Sequence, residues 1–133
     1  MPQSPYRQKL GQIGEKIACN FLLKHGLILL QKNYLIRAGQ IDLVFQSADR
    51  QKIHFIEVKS RFQSYSTSDL FLSRKQQHSL QRTAEIFLQQ SNLQLLPWQF
   101  DLVWINFSYP NSSQLTSYQL KAKINYLPNA FIS

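Results

Sequence analysis

The sequence predicts one α/β domain spanning residues 1–133, in the order helix, three strands, helix, two strands. Three observations predict it. Apolar residues recur at helical spacing between Tyr6 and His25, and short apolar or alternating runs follow. Ser73-Arg74-Lys75-Gln76 then fits the capping box that opens a second helix. With 133 residues, 44% of them hydrophobic and 13% aromatic, the chain is a globular one with material for a single core.

The first helix is expected over Tyr6–His25. Leu10, Ile13, Ile17, Phe21 and Leu22 form its buried stripe, and Gly26 is its stop. Gly11 and Gly14 lie inside it, each roughly 1 kcal/mol less favourable than alanine, as at places where another element comes close. Glu15 lies on the flank of the stripe, where it looks towards the edge of a sheet. Leu27–Tyr34 reads as the first strand. Gln40–Gln46 reads as the second, with Ile41, Leu43 and Phe45 alternating against Gln40, Asp42 and Val44. Ser47–Gln51 is a hairpin loop, and Lys52–Arg61 is the third strand, with Phe55, Glu57 and Lys59 on one face and His54, Ile56 and Val58 on the other.

Phe62–Asp69 is serine-rich and reads as a loop. The second helix runs to about Gln90 on a stripe of Leu80, Ala84, Phe87 and Leu88. Gln99–Phe107 is apolar on both faces, as in a strand buried between layers. Tyr118, Leu120, Ala122, Ile124 and Tyr126 alternate with Lys121, Lys123 and Asn125, which describes a half-buried edge strand.

Fifteen Lys and Arg against seven Asp and Glu leave a formal charge of +8, which points to a polyanionic partner, nucleic acid ahead of a membrane surface. Cys19 is the only cysteine, which excludes an intrachain disulfide and reads as packing or inert surface. No run approaches the ~20 apolar residues of a membrane span, and the N-terminus lacks the apolar core of a signal peptide, so the expected compartment is the cytoplasm.

With so few acids in the chain, Asp42 and Glu57 stand out inside otherwise apolar strands, where an unpaired charge is costly. Two carboxylates on neighbouring strands suit Mg²⁺, which takes one or two carboxylates plus water and phosphate. The Val58 carbonyl is a further oxygen ligand. Lys59, on the face of Glu57, is placed to orient an attacking water, to stabilise charge on phosphorus, or to act as a base. The plainer reading of E-x-K is a strand ion pair worth at most ~1 kcal/mol. Asp101 is read as orienting a neighbour or pairing with a base. His54, facing away from Glu57, is read as non-catalytic.

The whole pattern resembles the YraN family of uncharacterised bacterial proteins, within the PD-(D/E)-x-K superfamily. Gly11 and Gly14-Glu15 match its first helix, and Gly39-Gln40-Ile41-Asp42-Leu43-Val44 matches its G-E-I-D-L-I run. Phe55-Ile56-Glu57-Val58-Lys59-Ser60-Arg61 matches F-V-E-V-K-x-R. Lys75-Gln76, Phe100-Asp101 and Asn129-Ala130-Phe131 match later motifs. The resemblance implies a restriction-endonuclease-like fold with a mixed five-stranded sheet flanked by helices. It further implies a Mg²⁺- or Mn²⁺-dependent DNA endonuclease with Asp42, Glu57, Lys59 and Glu15 as catalytic residues and Glu15 beside Asp42, Glu57 and Val58 at the metal. Similarity to archaeal Holliday-junction resolvases extends this to branched DNA and to action as a homodimer. Gln40 departs from the family, which usually carries Glu there, and position 99 is Gln where the family often has Arg.

Arg61, Tyr65, Arg74, Lys75, Gln76 and Arg82, with Phe62, gather charge and rings near the end of the E-x-K strand. They are the candidate nucleic-acid contacts, with a helix cap as the plainer role of Gln76. The competing function is a nucleic-acid-binding protein that keeps the nuclease fold without cleavage, and a third is a protein-interaction module.

Overall fold

The helical stripe at the start of the chain winds into α1, Pro5–Lys24. The computed structural model describes residues 5–62, 72–109 and 120–130. Gly26 ends α1 with φ +86°, a conformation open to glycine. Its N–H donates to the Leu23 carbonyl (3.1 Å) and that of Leu27 to the Leu22 carbonyl (3.2 Å), the paired bonds of a Schellman cap. The chain then lays down β1 (Ile28–Ile36), β2 (Gly39–Gln46) and β3 (Ile53–Phe62), crosses over through α2 (Arg74–Gln90), and returns as β4 (Trp98–Ser108) and β5 (Lys121–Leu127).

The strands form one sheet in the order β1-β2-β3-β4-β5. Only β3 and β4 run parallel, and their link carries α2 as the crossover that parallel neighbours require. The mixed sheet and the αβββαββ order are those expected from the sequence. At α2, Ser73 caps as predicted: its Oγ accepts from Gln76 N–H (3.1 Å), and Gln76 Oε1 accepts from Ser73 N–H (2.8 Å).

Two apolar layers hold the helices to opposite faces. On one, Leu10, Ala18, Cys19 and Leu22 of α1 pack on Leu43, Phe45, Ile56, Val103, Ile105 and Phe107. On the other, Leu80, Ala84, Phe87 and Leu88 of α2 pack on Ile41, Val44, Ile53, Phe55 and Phe100. Phe55 meets Phe87 at 5.9 Å and Trp98 at 5.7 Å, both edge-on. Such pairs contribute roughly 1 kcal/mol each beyond burial. No helix among the described residues is long and apolar enough to cross a membrane.

Four details differ from the sequence reading. Ile13 is 41% exposed. The α1 face that meets the sheet runs through Gly14 instead, where a Cβ would lie 1.8 Å from Ser60 Oγ of β3. Gly11 has open space beside it. In β2 the alternation breaks: Leu43 and Phe45 face α1, but Ile41 joins Val44 in the α2 layer. Ala122 of β5 is exposed, and Tyr118 and Phe131 lie outside the described residues.

Candidate active site

The pairing of β2 with β3 runs from Gln46↔Ile53 to Leu43↔Ile56 and ends there. The next two residues, Asp42 and Glu57, stand where the strands part. Asp42 Oδ2 accepts the Val58 N–H at 2.8 Å, so a side chain takes over where the ladder stops. This is also where the alternation of β2 breaks. The period of β3 places Glu57 and Lys59 after Phe55 on the same face. Lys59 Nζ lies 3.9 Å from Glu57 Oε1, a long ion pair between side chains 22% and 17% exposed.

The electrostatics of this corner are under strain. Burial raises the pKa of Glu57 to about 8, helped by the charge of Asp42, by a hydrogen bond with Asp42 and by Glu15, while Lys59 pulls it down. Burial also raises Asp42, against the Val58 N–H, Lys59 and the bond to Glu57. Both carboxyl groups are thus pushed towards their neutral forms, because neighbouring like charges in a buried site do not both ionise readily. Glu15 is raised by burial and then by Asp42, and eased by a hydrogen bond with Asn33. It reaches this corner because Gly14, its neighbour, lets α1 settle on Ser60.

A divalent cation fits this donor set. Asp42 and Glu57 offer hard oxygen donors whose mutual repulsion a cation would relieve, and Mg²⁺ typically takes one or two carboxylates. Among the described residues no three His, Cys, Asp or Glu side chains converge as a metal cluster. The side-chain donors at hand are Asp42 and Glu57, with Glu15 acting on them through space. At Val58, the group seen in use is the N–H that orients Asp42.

Of the candidate nucleic-acid contacts, Arg74, Lys75 and Arg82 are exposed on α2. Gln76 is engaged in the helix cap, its plainer role. Arg61 is partly buried and donates to the Ser60 carbonyl at 2.9 Å. Phe62 packs edge-on to Tyr109 at 5.1 Å. Tyr65 lies outside the described residues. Asp101 pairs with a base, as read from the sequence: its Oδ2 is 2.7 Å from His54 Nδ1. Gln40 is exposed. Two residues escaped sequence reasoning. Asn33, held at φ 50° in β1, bonds Glu15, and Arg37 stands at the β1–β2 turn. Gly39 was the available signal for Arg37, since glycine beside a turn often marks close packing.

Comparison with known proteins agrees with the motifs. The model of the uncharacterised protein family UPF0102 matches residues 14–105. A UPF0102 protein of Shewanella sediminis is 33% identical over 128 residues, covering 96% of this chain and 95% of that protein. One from Clostridioides difficile is 32% identical over 122 residues (91% and 95%). Another from Clostridium tetani is 32% identical over 107 residues (80% and 86%).

Proposed function

The chain belongs to the UPF0102 family, the one its motifs resemble under the name YraN, and we propose that it is a Mg²⁺- or Mn²⁺-dependent DNA endonuclease working at Asp42, Glu57 and Lys59. The observation that carries the reading is geometric: Asp42, oriented by the Val58 N–H, and Glu57, with Lys59 Nζ 3.9 Å from its Oε1, stand together where β2 and β3 part. When bound, a divalent ion supplies a water of lowered pKa and offsets charge on the phosphoryl oxygen.

The chain's residues supply the rest. Asp42, oriented by the Val58 N–H, and Glu57 would hold the ion through their carboxylate oxygens. Lys59 Nζ, tethered loosely to Glu57, donates to the attacking water or to a phosphate oxygen as charge builds on it. Glu15 adds negative potential behind the pair and strengthens its hold on a cation. Water adds to phosphorus and gives up a proton to solvent, the P–O bond to one sugar breaks, and the leaving sugar oxygen takes up a proton from solvent, giving a phosphomonoester and a free hydroxyl. Two copies of the chain, each cutting one strand, would suit branched DNA.

A second reading is nucleic-acid binding without cleavage. Gln40 favours it, since it leaves the site one carboxylate short of the usual family pattern. Incubation with branched, flapped, single-stranded and linear duplex DNA, in Mg²⁺, Mn²⁺ or EDTA, separates the two. Cleavage that disappears in EDTA, in Asp42→Asn and in Lys59→Ala is the expected outcome. Binding without cleavage in either metal overturns the enzyme reading in favour of the second.

A further inference from the structure

The turn between β1 and β2 locks against α2. A Cβ on Gly39 would lie 2.6 Å from Ser79 Oγ and 2.8 Å from Thr83 Oγ1, so only glycine permits this approach. Ser79 Oγ donates to the Ala38 carbonyl, and Thr83 Oγ1 to the Ser79 carbonyl. The turn is thereby fixed, and with it the base of Arg37 relative to Arg82. Between them lies an open groove of about 450 Å³ lined by Ile36, Arg37, Ala38, Arg82, Ile86 and Gln90.

The chemistry of that lining is one-sided. It holds two guanidinium groups and no carboxylate. Neither arginine has an acidic partner within ion-pair distance among the described residues. Glu85, one turn beyond Arg82, accepts instead from Gln81 Nε2 at 3.3 Å. The Tyr34 hydroxyl donates to Gln90 Oε1 at 2.7 Å, which holds the Gln90 amide in place and leaves its N–H₂ as a further donor. Planar guanidinium forks bind phosphate oxygens in pairs, and an apolar floor of Ile36, Ala38 and Ile86 accommodates sugar.

We propose that this groove is a phosphate-docking subsite for the backbone of duplex DNA, outside the cleavage centre. The inference rests on the nucleic-acid part of the reading above. Arg37 precedes Asp42 by five residues of the same turn and strand. At ~3.3 Å per residue their Cα atoms are at most about 17 Å apart, about half of the ~34 Å turn of B-DNA. One duplex arm can therefore touch both. An open groove also suits a polymer passing through better than a small anion held on all sides.

Fluorescence anisotropy of a labelled DNA duplex against the full chain, in EDTA and across a salt series, tests the subsite without any cleavage. Arg37→Gln and Arg82→Gln are compared with the charge-matched Lys24→Gln, at the far end of α1. Each arginine variant is expected to lower the slope of log K against log salt by about one, with Lys24→Gln leaving it unchanged. Equal behaviour of all three variants overturns the subsite, as does failure of the wild type to bind duplex DNA at low salt. A wild type that binds in EDTA but never cleaves in Mg²⁺ or Mn²⁺ sinks the enzyme reading alone. Cleavage with an unchanged arginine salt slope sinks the subsite alone.

Discussion

Asp42 and Asp101 are both aspartates set into sheet strands, and their surroundings make them opposites. Asp101 is wholly buried and fully answered. His54 Nδ1 (2.7 Å), Tyr126 Oη (2.5 Å), Gln99 Nε2 (2.6 Å) and the Asn129 N–H (2.8 Å) all point at its oxygens. Burial pushes its pKa up, but those four bonds outweigh it and hold the carboxyl below its ordinary value. Burial raises the Tyr126 hydroxyl, and its hydrogen bond to the charged Asp101 adds to the rise. Asp42 has one backbone N–H and a neighbouring carboxyl, and its pKa is raised. A buried charge with a full set of donors organises the fold. A buried charge left short of partners has a coordination need that a ligand can meet.

The contrast breaks most visibly if both residues are made asparagine. Asp42→Asn is expected to reduce cleavage about 10³-fold while leaving metal-free stability within about 1 kcal/mol, since the amide can still accept from Val58 N–H and bond Glu57. Asp101→Asn turns a pure acceptor into a group with two donors, facing four donors. It is expected to destabilise the fold by about 3 kcal/mol, read in urea unfolding. The Ala130 N–H, which donates to the Phe100 carbonyl at 2.8 Å, belongs to the same C-terminal attachment. Its faster hydrogen exchange in Asp101→Asn is the accompanying local readout. If instead Asp42→Asn unfolds the protein and Asp101→Asn is silent, the two roles are reversed.

The pH dependence sharpens the same distinction because the two shifts have opposite signs. Glu57 is raised from 4.5 to about 8, so between those values the folded protein holds a proton that the unfolded chain releases. Its contribution to metal-free stability is greatest below 4.5 and declines as pH rises towards about 8. Glu57→Gln removes that decline. The variant is expected to gain on the wild type from pH 5 to pH 8, by on the order of 2 kcal/mol, in thermal melts with EDTA. Added Mg²⁺ stabilises the wild type with proton release and does little for the variant. Asp101 behaves in reverse: its contribution is present above its ordinary value of 3.8 and is lost as pH falls below it. An Asp101→Asn variant whose deficit persists unchanged at pH 2 contradicts this account.

How much of this was legible depends on whether the determinant was local. The helices and strands followed from period, the end of α1 from Gly26 and the α2 start from Ser73 and Gln76. The proximity of Asp42, Glu57 and Lys59 followed from their motif on adjacent strands. The parting of β2 from β3 did not, because it shows only as an interrupted register and a side chain replacing a ladder bond. The donors around Asp101 come from β3, β4, β5 and the segment after β5, so no spacing in the sequence announces them. Ile13 was misplaced for a related reason. Helical period marks apolar residues, whereas the tightest contact of α1 is made by a glycine with no side chain to mark it.

That glycine carries the smallest and most specific prediction. Ser60 Oγ is buried with no hydrogen-bond partner among the described residues, and it lies where a side chain at position 14 would go. Removing the hydroxyl in Ser60→Ala loses no hydrogen bond, so the change in stability is expected to be within about 1 kcal/mol of zero, tending towards a gain. Gly14→Ala alone gains helix propensity but places a Cβ 1.8 Å from that oxygen and 3.2 Å from Ser60 Cβ. A net loss of about 1–3 kcal/mol is expected from the forced shift of α1. In the double variant the Oγ clash is gone and the tight Cβ contact remains, so urea unfolding should recover part of the loss and leave a coupling of about 1 kcal/mol. The shift of α1 also withdraws Glu15 from the carboxylates. Gly14→Ala is therefore expected to lower the proton affinity of the Asp42–Glu57 pair, read by carboxyl titration in NMR. Strict additivity of the two substitutions, with an unmoved titration, would mean that α1 is not held against β3 at this point.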